Sequence, residues 1–504
     1  MAVKFEIYRE GKRLNSYQPV GAMVMGPESV PIPGDVSFKG GLLTAERVDD
    51  SPVAIALMWD MGEAGAYHME TTRLPHRAET YNLNVELARH RLMRLVQKWE
   101  DWNLFDFPKA EKFQQDFKDA QAKLAEALGQ MSDPGLAAKT ADQALAMGLK
   151  LSEEISLFHS ELLMNRRKSA GQFGRIIFGC RVDSSVQNQK YKDLLTGQLD
   201  YACVPMPWRQ MQPEETTFVN DPVDQWIEEM SRKRVPVIAG PLVRLDESDV
   251  PDWLFIYEHD YDTLRQMAYE YVQKLVARYR KGVAVWNVVA GLSANRHFPL
   301  SFEQLIELTR LLVVQVKNML PQSRTLVTIT HPFGEYHAEH TTTVPPFLYA
   351  EMVAQAGIHF EGFGLEIEMG VPTAGSFTRD LFQLSCMLDR FALLGKPVFV
   401  TSISCPGRNT ADPSDISEGK LDPAAAGRWH KPWDPELQAD WLEQVYKVIL
   451  SKPYVENIAW GNLADLNQTV PAGGLFDDMF HAKPVMNRLS DIRQRLMVAL
   501  GRKT

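Results

Sequence analysis

The spacing of apolar positions changes twice along the chain. Up to about residue 80, apolar and polar residues alternate, as in Val3-Lys4-Phe5-Glu6-Ile7-Tyr8, or gather in short runs such as Val53-Ala54-Ile55-Ala56-Leu57-Met58-Trp59. Gly and Pro clusters (Pro31-Ile32-Pro33-Gly34, Gly40-Gly41) punctuate them. Period-two alternation between turn residues predicts strands, and residues 1–80 read as a small β-sandwich or β-roll. From about residue 82 the period turns helical, with Leu83, Leu87, Leu92, Leu95 and Trp99 recurring on one face and Ala-rich stretches between Ala120 and Leu151. Asp133-Pro134-Gly135 separates a second helix from a third, so residues 81–170 are expected to form a helical arm or bundle.

After Gly171, short apolar runs alternate with amphipathic stretches. Strands are predicted at Arg175–Cys180, Tyr201–Met206, Val235–Leu242, Val283–Val289, Leu326–Thr330, Gly362–Glu368, Pro397–Ile403 and Asn457–Gly461. Eight βα units over roughly 330 residues are the signature of a (β/α)8 TIM barrel, here spanning 171–504. Function in such a barrel is sought just after each strand, at the C-terminal face.

Composition narrows the classes. A net charge of −10 argues against a nucleic-acid partner, which needs a surplus of Lys and Arg. Cys180, Cys203, Cys386 and Cys405 are widely spaced and read as reduced thiols, not as a disulfide framework or zinc site. No apolar run is long enough to span a membrane, and the charged opening MAVKFEIYREGKRL lacks the core of a secretory signal, so a cytoplasmic location is expected. No cofactor is implied.

Several segments resemble family 10 glycoside hydrolases, the xylanase-type barrels. Phe178-Gly179-Cys180-Arg181-Val182-Asp183 looks like the family's opening strand, and Met206-Pro207-Trp208 resembles its strand 2 motif. Gly240-Pro241-Leu242-Val243 followed by Pro251-Asp252-Trp253 is similar to the strand 3 stretch, and Trp286-Asn287-Val288-Val289 to W-D-V-V of strand 4. Gly364-Leu365-Glu366-Ile367-Glu368 sits where the family writes G-L-Q-x-H, and Val400-Thr401-Ser402-Ile403-Ser404 where it writes T-E-L-D. Trp460-Gly461 with Asp465, Gly474-Leu475-Phe476-Asp477 and Lys483-Pro484 resembles the strand 8 region.

The resemblance implies retaining hydrolysis of a β-linked polysaccharide by two glutamates, which needs carboxyl groups about 5–5.5 Å apart. Here the acid/base position falls on Gly291 and the nucleophile position on Ser402. The strand 2 glutamate and asparagine fall on Cys203 and Val204, the lysine on Pro207 and the strand 3 histidine on Pro241. Of the sugar-contacting positions, the aromatic Trp208 and Trp460 remain, with Asn287 in place of an aspartate.

Strand 6 has instead gained acids. Glu366 and Glu368 are two residues apart on a strand and so face the same way, while His331 and Glu335 follow strand 5, with His337 and His340 beyond. One carboxyl kept protonated and one charged would serve a hydrolase with relocated machinery, Glu335 opposing Glu366 being the better pair. The His-x3-Glu-x-His spacing fits no closed structural metal site, and no metal is expected. The structural alternative is that Glu366 and Glu368 pair with Arg244, Arg296 or Arg408. Trp429 and Trp433, in the long segment after strand 7, either line a sugar-binding rim or anchor that segment to the barrel. Two readings follow: a carbohydrate-active barrel engaging a β-linked glycan, with hydrolysis by relocated acids; or a non-catalytic scaffold for glycan binding or assembly, with homo-oligomer contacts through the N-terminal region.

Overall fold

Alternation in the first segment closes into two four-stranded sheets. Residues Ala2–Glu6, Asp35–Lys39, Leu42–Glu46 and Tyr81–Asn82 form one, and Met23–Met25, Pro31–Ile32, Ala54–Asp60 and Ala66–Glu70 the other. Their inward residues, Phe5 and Leu43 from one sheet and Val24, Ile55 and Leu57 from the other, are fully buried in one continuous core. The computed structural model describes residues 2–47, 51–104, 107 and 110–502.

Three helices follow, Leu83–Asp101, Ala110–Gly129 and Pro134–Ser169. The first starts where Asn82 accepts a hydrogen bond from the Val85 amide, and the third where Asp133 accepts one from Leu136 with Pro134 behind it. The third helix turns a row of small residues inward (Ala137, Ala141, Ala144, Gly148, Ser152, Ser156), so that Gly148 lies directly against Arg91 and Leu92 of the first. The hydroxyls of Ser152 and Ser156 are satisfied by carbonyls one turn earlier, which lets polar residues sit in a buried helix contact.

The expected barrel is present. Its strands are Phe178–Arg181, Tyr201–Val204, Val237–Ala239 with Val243–Arg244, Val285–Ala290, Arg324–Thr330, Gly362–Glu368, Val398–Ser404 and Val455–Trp460, here barrel strands 1 to 8. All pair in parallel, and strand 8 closes on strand 1 through Ile458, Ala459 and Trp460. Residues Tyr201, Cys203, Ile238, Val285, Leu326, Phe399 and Ala459 fill the lower interior. Gly179 makes room for the Tyr201 ring, since a Cβ there would lie 2.3 Å from it. No described helix is long and apolar enough to cross a membrane.

The β sheets and the arm dock on the loops that follow strands 6 and 7, hence on the barrel's C-terminal face. Ala66 and Arg428 exchange backbone hydrogen bonds of 2.9 Å, and the His68 amide donates to Thr378 O at 2.9 Å. Arg91 of the first arm helix meets Asp380 at 2.5 Å with both side chains 4% exposed. Removing one partner of such a pair strands a buried charge. Arg91→Met is therefore expected to cost about 3–5 kcal/mol in urea unfolding; a loss below about 1 kcal/mol would mean that docking does not depend on this contact.

Candidate active site at the barrel mouth

Barrel strand 6 sets Glu366 beside Thr330 of strand 5 and Ser402 of strand 7, and Glu368 beside Ser404. Glu366 is not free. Nη2 of Arg244, at the end of strand 3, donates to both its oxygens at 2.6 and 2.8 Å. Nε of Arg244 lies 3.2 Å from Asp249 and 3.6 Å from Asp246. Burial works against the charge on Arg244, but Glu366, Asp249 and Asp246 outweigh it and raise its pKa further. Burial also pushes the Asp249 carboxyl up to about 6, against the pull of Arg244. Glu368 is half-buried, and its carboxylate makes no hydrogen bond or ion pair with any described residue. Arg181, at the end of strand 1, is likewise half-buried, and its guanidinium has no such partner among the described residues.

Glu335 lies elsewhere. It is fully buried at the junction with the N-terminal sheets, where it accepts hydrogen bonds from the Arg379 guanidinium and the Gly375 amide. Burial would lift its carboxyl; Arg379, with His68 and these hydrogen bonds, prevails and holds it below the usual range. His68 presents Nε2 to Gly21 O at 2.8 Å and Nδ1 to Arg379 at 3.1 Å, so Nε2 carries the proton and Nδ1 accepts. Burial drives its pKa down to about 4. Glu335 and Glu366 thus serve different ion clusters and do not form the opposed pair expected from the sequence.

The tryptophans have no ring face open to a sugar. Trp208 is 1% exposed, stacked on Tyr271 with its indole nitrogen on Gln212, and Trp460 is fully buried with its nitrogen on Gly473 O. Trp429 donates to Glu153 of the third arm helix, and Trp433 packs edge-on against Trp441; both are buried and anchor the segment after strand 7. Asn287 lies inside the barrel, accepting from Thr328. His331 has φ +47° at the end of strand 5 and packs beside Gly375. Gly291 has φ +64°, and a Cβ there would lie 2.8 Å from Thr330 Oγ1, so a glutamate would be strained and crowded at that position. Ser402 is buried beside Glu366. Among the described residues, no group of three or more His, Cys, Asp or Glu is placed to hold a metal ion.

Two mouth residues, Arg181 and Asp249, do not stand out among the sequence candidates. Arg181 was reachable, being two residues past the inward Gly179 and so on the same face. Asp249 lies in a loop with no periodic signal.

Residues 165–298 match the model of Glycosyl hydrolase family 10. The matched stretch takes in barrel strands 1 to 4, and the family 10 resemblance of the sequence is borne out there. Among solved structures, the chain is similar to native xylanase 10B from Thermotoga maritima: 14% identity over 64% of this chain and 96% of that one, TM-score 0.48. It is also similar to a family 10 protein from Paenibacillus barcinonensis (17%, 65% and 97%, 0.48). A third is TsXylA, an intracellular xylanase from Thermoanaerobacterium saccharolyticum (15%, 63% and 97%, 0.46). No curated protein matches the chain in sequence.

The His68 geometry has a measurable consequence. Its folded pKa of about 4 lies below the ordinary 6.5, so the unfolded chain binds the proton more tightly. Its stabilising contribution is fully present above pH 6.5 and is lost as pH falls toward 4, by up to about 3 kcal/mol. Urea unfolding across that window should show the loss, and His68→Gln should flatten that part of the profile. An unchanged profile would mean that His68 is not held neutral.

Proposed function

We propose that this protein binds a β-linked carbohydrate chain at the mouth of its family 10-like barrel and does not cleave it by the two-carboxylate retaining route. The carrying observation is the hold of Arg244 on both oxygens of Glu366. Retention needs a carboxyl free to attack the sugar and a second to protonate the leaving oxygen. With Glu366 engaged by Arg244 and Glu335 buried under Arg379, Glu368 is the remaining unpartnered acid of the three candidates among the described residues. A lone carboxylate accepts hydrogen bonds from sugar hydroxyls well. The family 10 match over strands 1 to 4 supports a glycan as the ligand class.

One observation favours a hydrolytic second reading. Asp249, at about 6, would hold a proton under mildly acidic conditions and so suits a general acid. Its ion pair with Arg244 is the counterweight.

Calorimetric titration and a mass-spectrometric cleavage assay, run on one panel of xylose- and glucose-based β-linked oligosaccharides, separate the readings. Binding without products is expected, with Glu368→Gln weakening binding about tenfold or more. Cleavage that disappears in Asp249→Asn would replace binding by hydrolysis. Absence of both binding and cleavage would leave the barrel as a scaffold.

A further inference from the structure

The mouth holds two guanidinium groups in opposite circumstances. Arg244 is held by hydrogen bonds to Glu366 and lies within ion-pair distance of Asp249 and Asp246. Arg181 faces the same space, because Gly179 two residues earlier meets the inward ring of Tyr201, and side chains on a strand alternate faces. It also pairs in register with Cys203, a member of the inner layer, and its charge works to lower the pKa of both the Cys203 thiol and the Asp249 carboxyl against their burial. Yet its guanidinium has no hydrogen bond or ion pair with any described residue. The nearby acids are engaged elsewhere: Asp249 lies against Arg244, while Asp183 accepts from Asn467 at 2.6 Å and from Ser185.

A half-buried guanidinium without a counter-ion is unfavourable, since desolvation is not repaid by pairing. Its planar fork of donors matches a carboxylate held by two parallel hydrogen bonds. We propose that Arg181 anchors the carboxylate of an acidic sugar, a uronic acid unit of the bound chain. This rests on the mouth being the glycan site. In the ring of strands, strand 1 is separated from strand 6 by strands 8 and 7, so Arg181 and Glu368 stand on well-separated parts of the rim. A chain crossing the mouth would put its anionic unit at strand 1 and neutral hydroxyls at Glu368, keeping the two negative charges apart.

The test is calorimetric titration of the full-length protein at low salt with cellotetraose and xylotetraose, each with and without one glucuronic acid residue. The acid-bearing chain should bind about tenfold or more tightly than its neutral counterpart. That preference should shrink with added salt, fall to about one in Arg181→Met and survive in part in Arg181→Lys. Equal affinities for acidic and neutral chains, or a preference undiminished in Arg181→Met, would overturn the assignment while leaving glycan binding intact. Failure of every chain to bind would remove the glycan site itself and this inference with it. Because the Arg181 guanidinium holds no hydrogen-bonded partner among the described residues, neither variant should lower the melting temperature, which verifies that any loss is one of binding.

Discussion

The carboxylate of Glu335, buried under Arg379 and beside neutral His68, is the contact on which the architecture turns. It brings three parts of the chain together: the loop after strand 5, the loop after strand 6 and the last strand of the second N-terminal sheet. An ionised carboxylate is costly to bury, and here a guanidinium and a backbone amide donating to it make that burial tolerable, while neutral His68 accepts from the same guanidinium. The same junction carries the Arg91–Asp380 pair and the backbone exchange between Ala66 and Arg428. The N-terminal sheets are thereby fixed to the face where TIM barrels present their ligand-binding loops.

That arrangement governs the chemistry left at the mouth. Loops after strands 5, 6 and 7 are occupied in holding the N-terminal region, and the tryptophans among them serve as anchors. The polar side chains without partners among the described candidates therefore lie on the strand ends themselves, at Arg181 and Glu368. Arg244 divides this space by neutralising Glu366. Among the described residues, the Arg181 guanidinium and the Glu368 carboxylate, spaced around the rim, are left without side-chain partners, and the proposed binding reading rests on them.

The barrel was legible in the sequence because buried parallel strands write themselves as short apolar runs; Gly362–Glu368 was predicted to the residue. Strand 3 was harder to read: the run Val235–Leu242 is observed as two short pieces, because Gly240 and Pro241 interrupt the ladder. At the site, same-face geometry for Glu366 and Glu368 follows from the period of a strand, and Arg244 is among the partners the sequence offers them. The fate of Glu335 was not readable. Its partners Arg379 and His68 come from distant segments, and only tertiary docking brings them together. The tryptophans mislead for a related reason: position at a strand end does not tell which way an indole turns.

The most direct measurement is a double-mutant cycle on Glu335 and Arg379, with Glu335→Gln, Arg379→Met and the pair compared in urea unfolding. For a buried tether, each single change should cost about 3–5 kcal/mol, and the double change should cost less than the sum by at least about 1 kcal/mol. Single variants within about 0.5 kcal/mol of wild type, or strictly additive losses, would contradict the tether and return Glu335 to the list of groups free for chemistry.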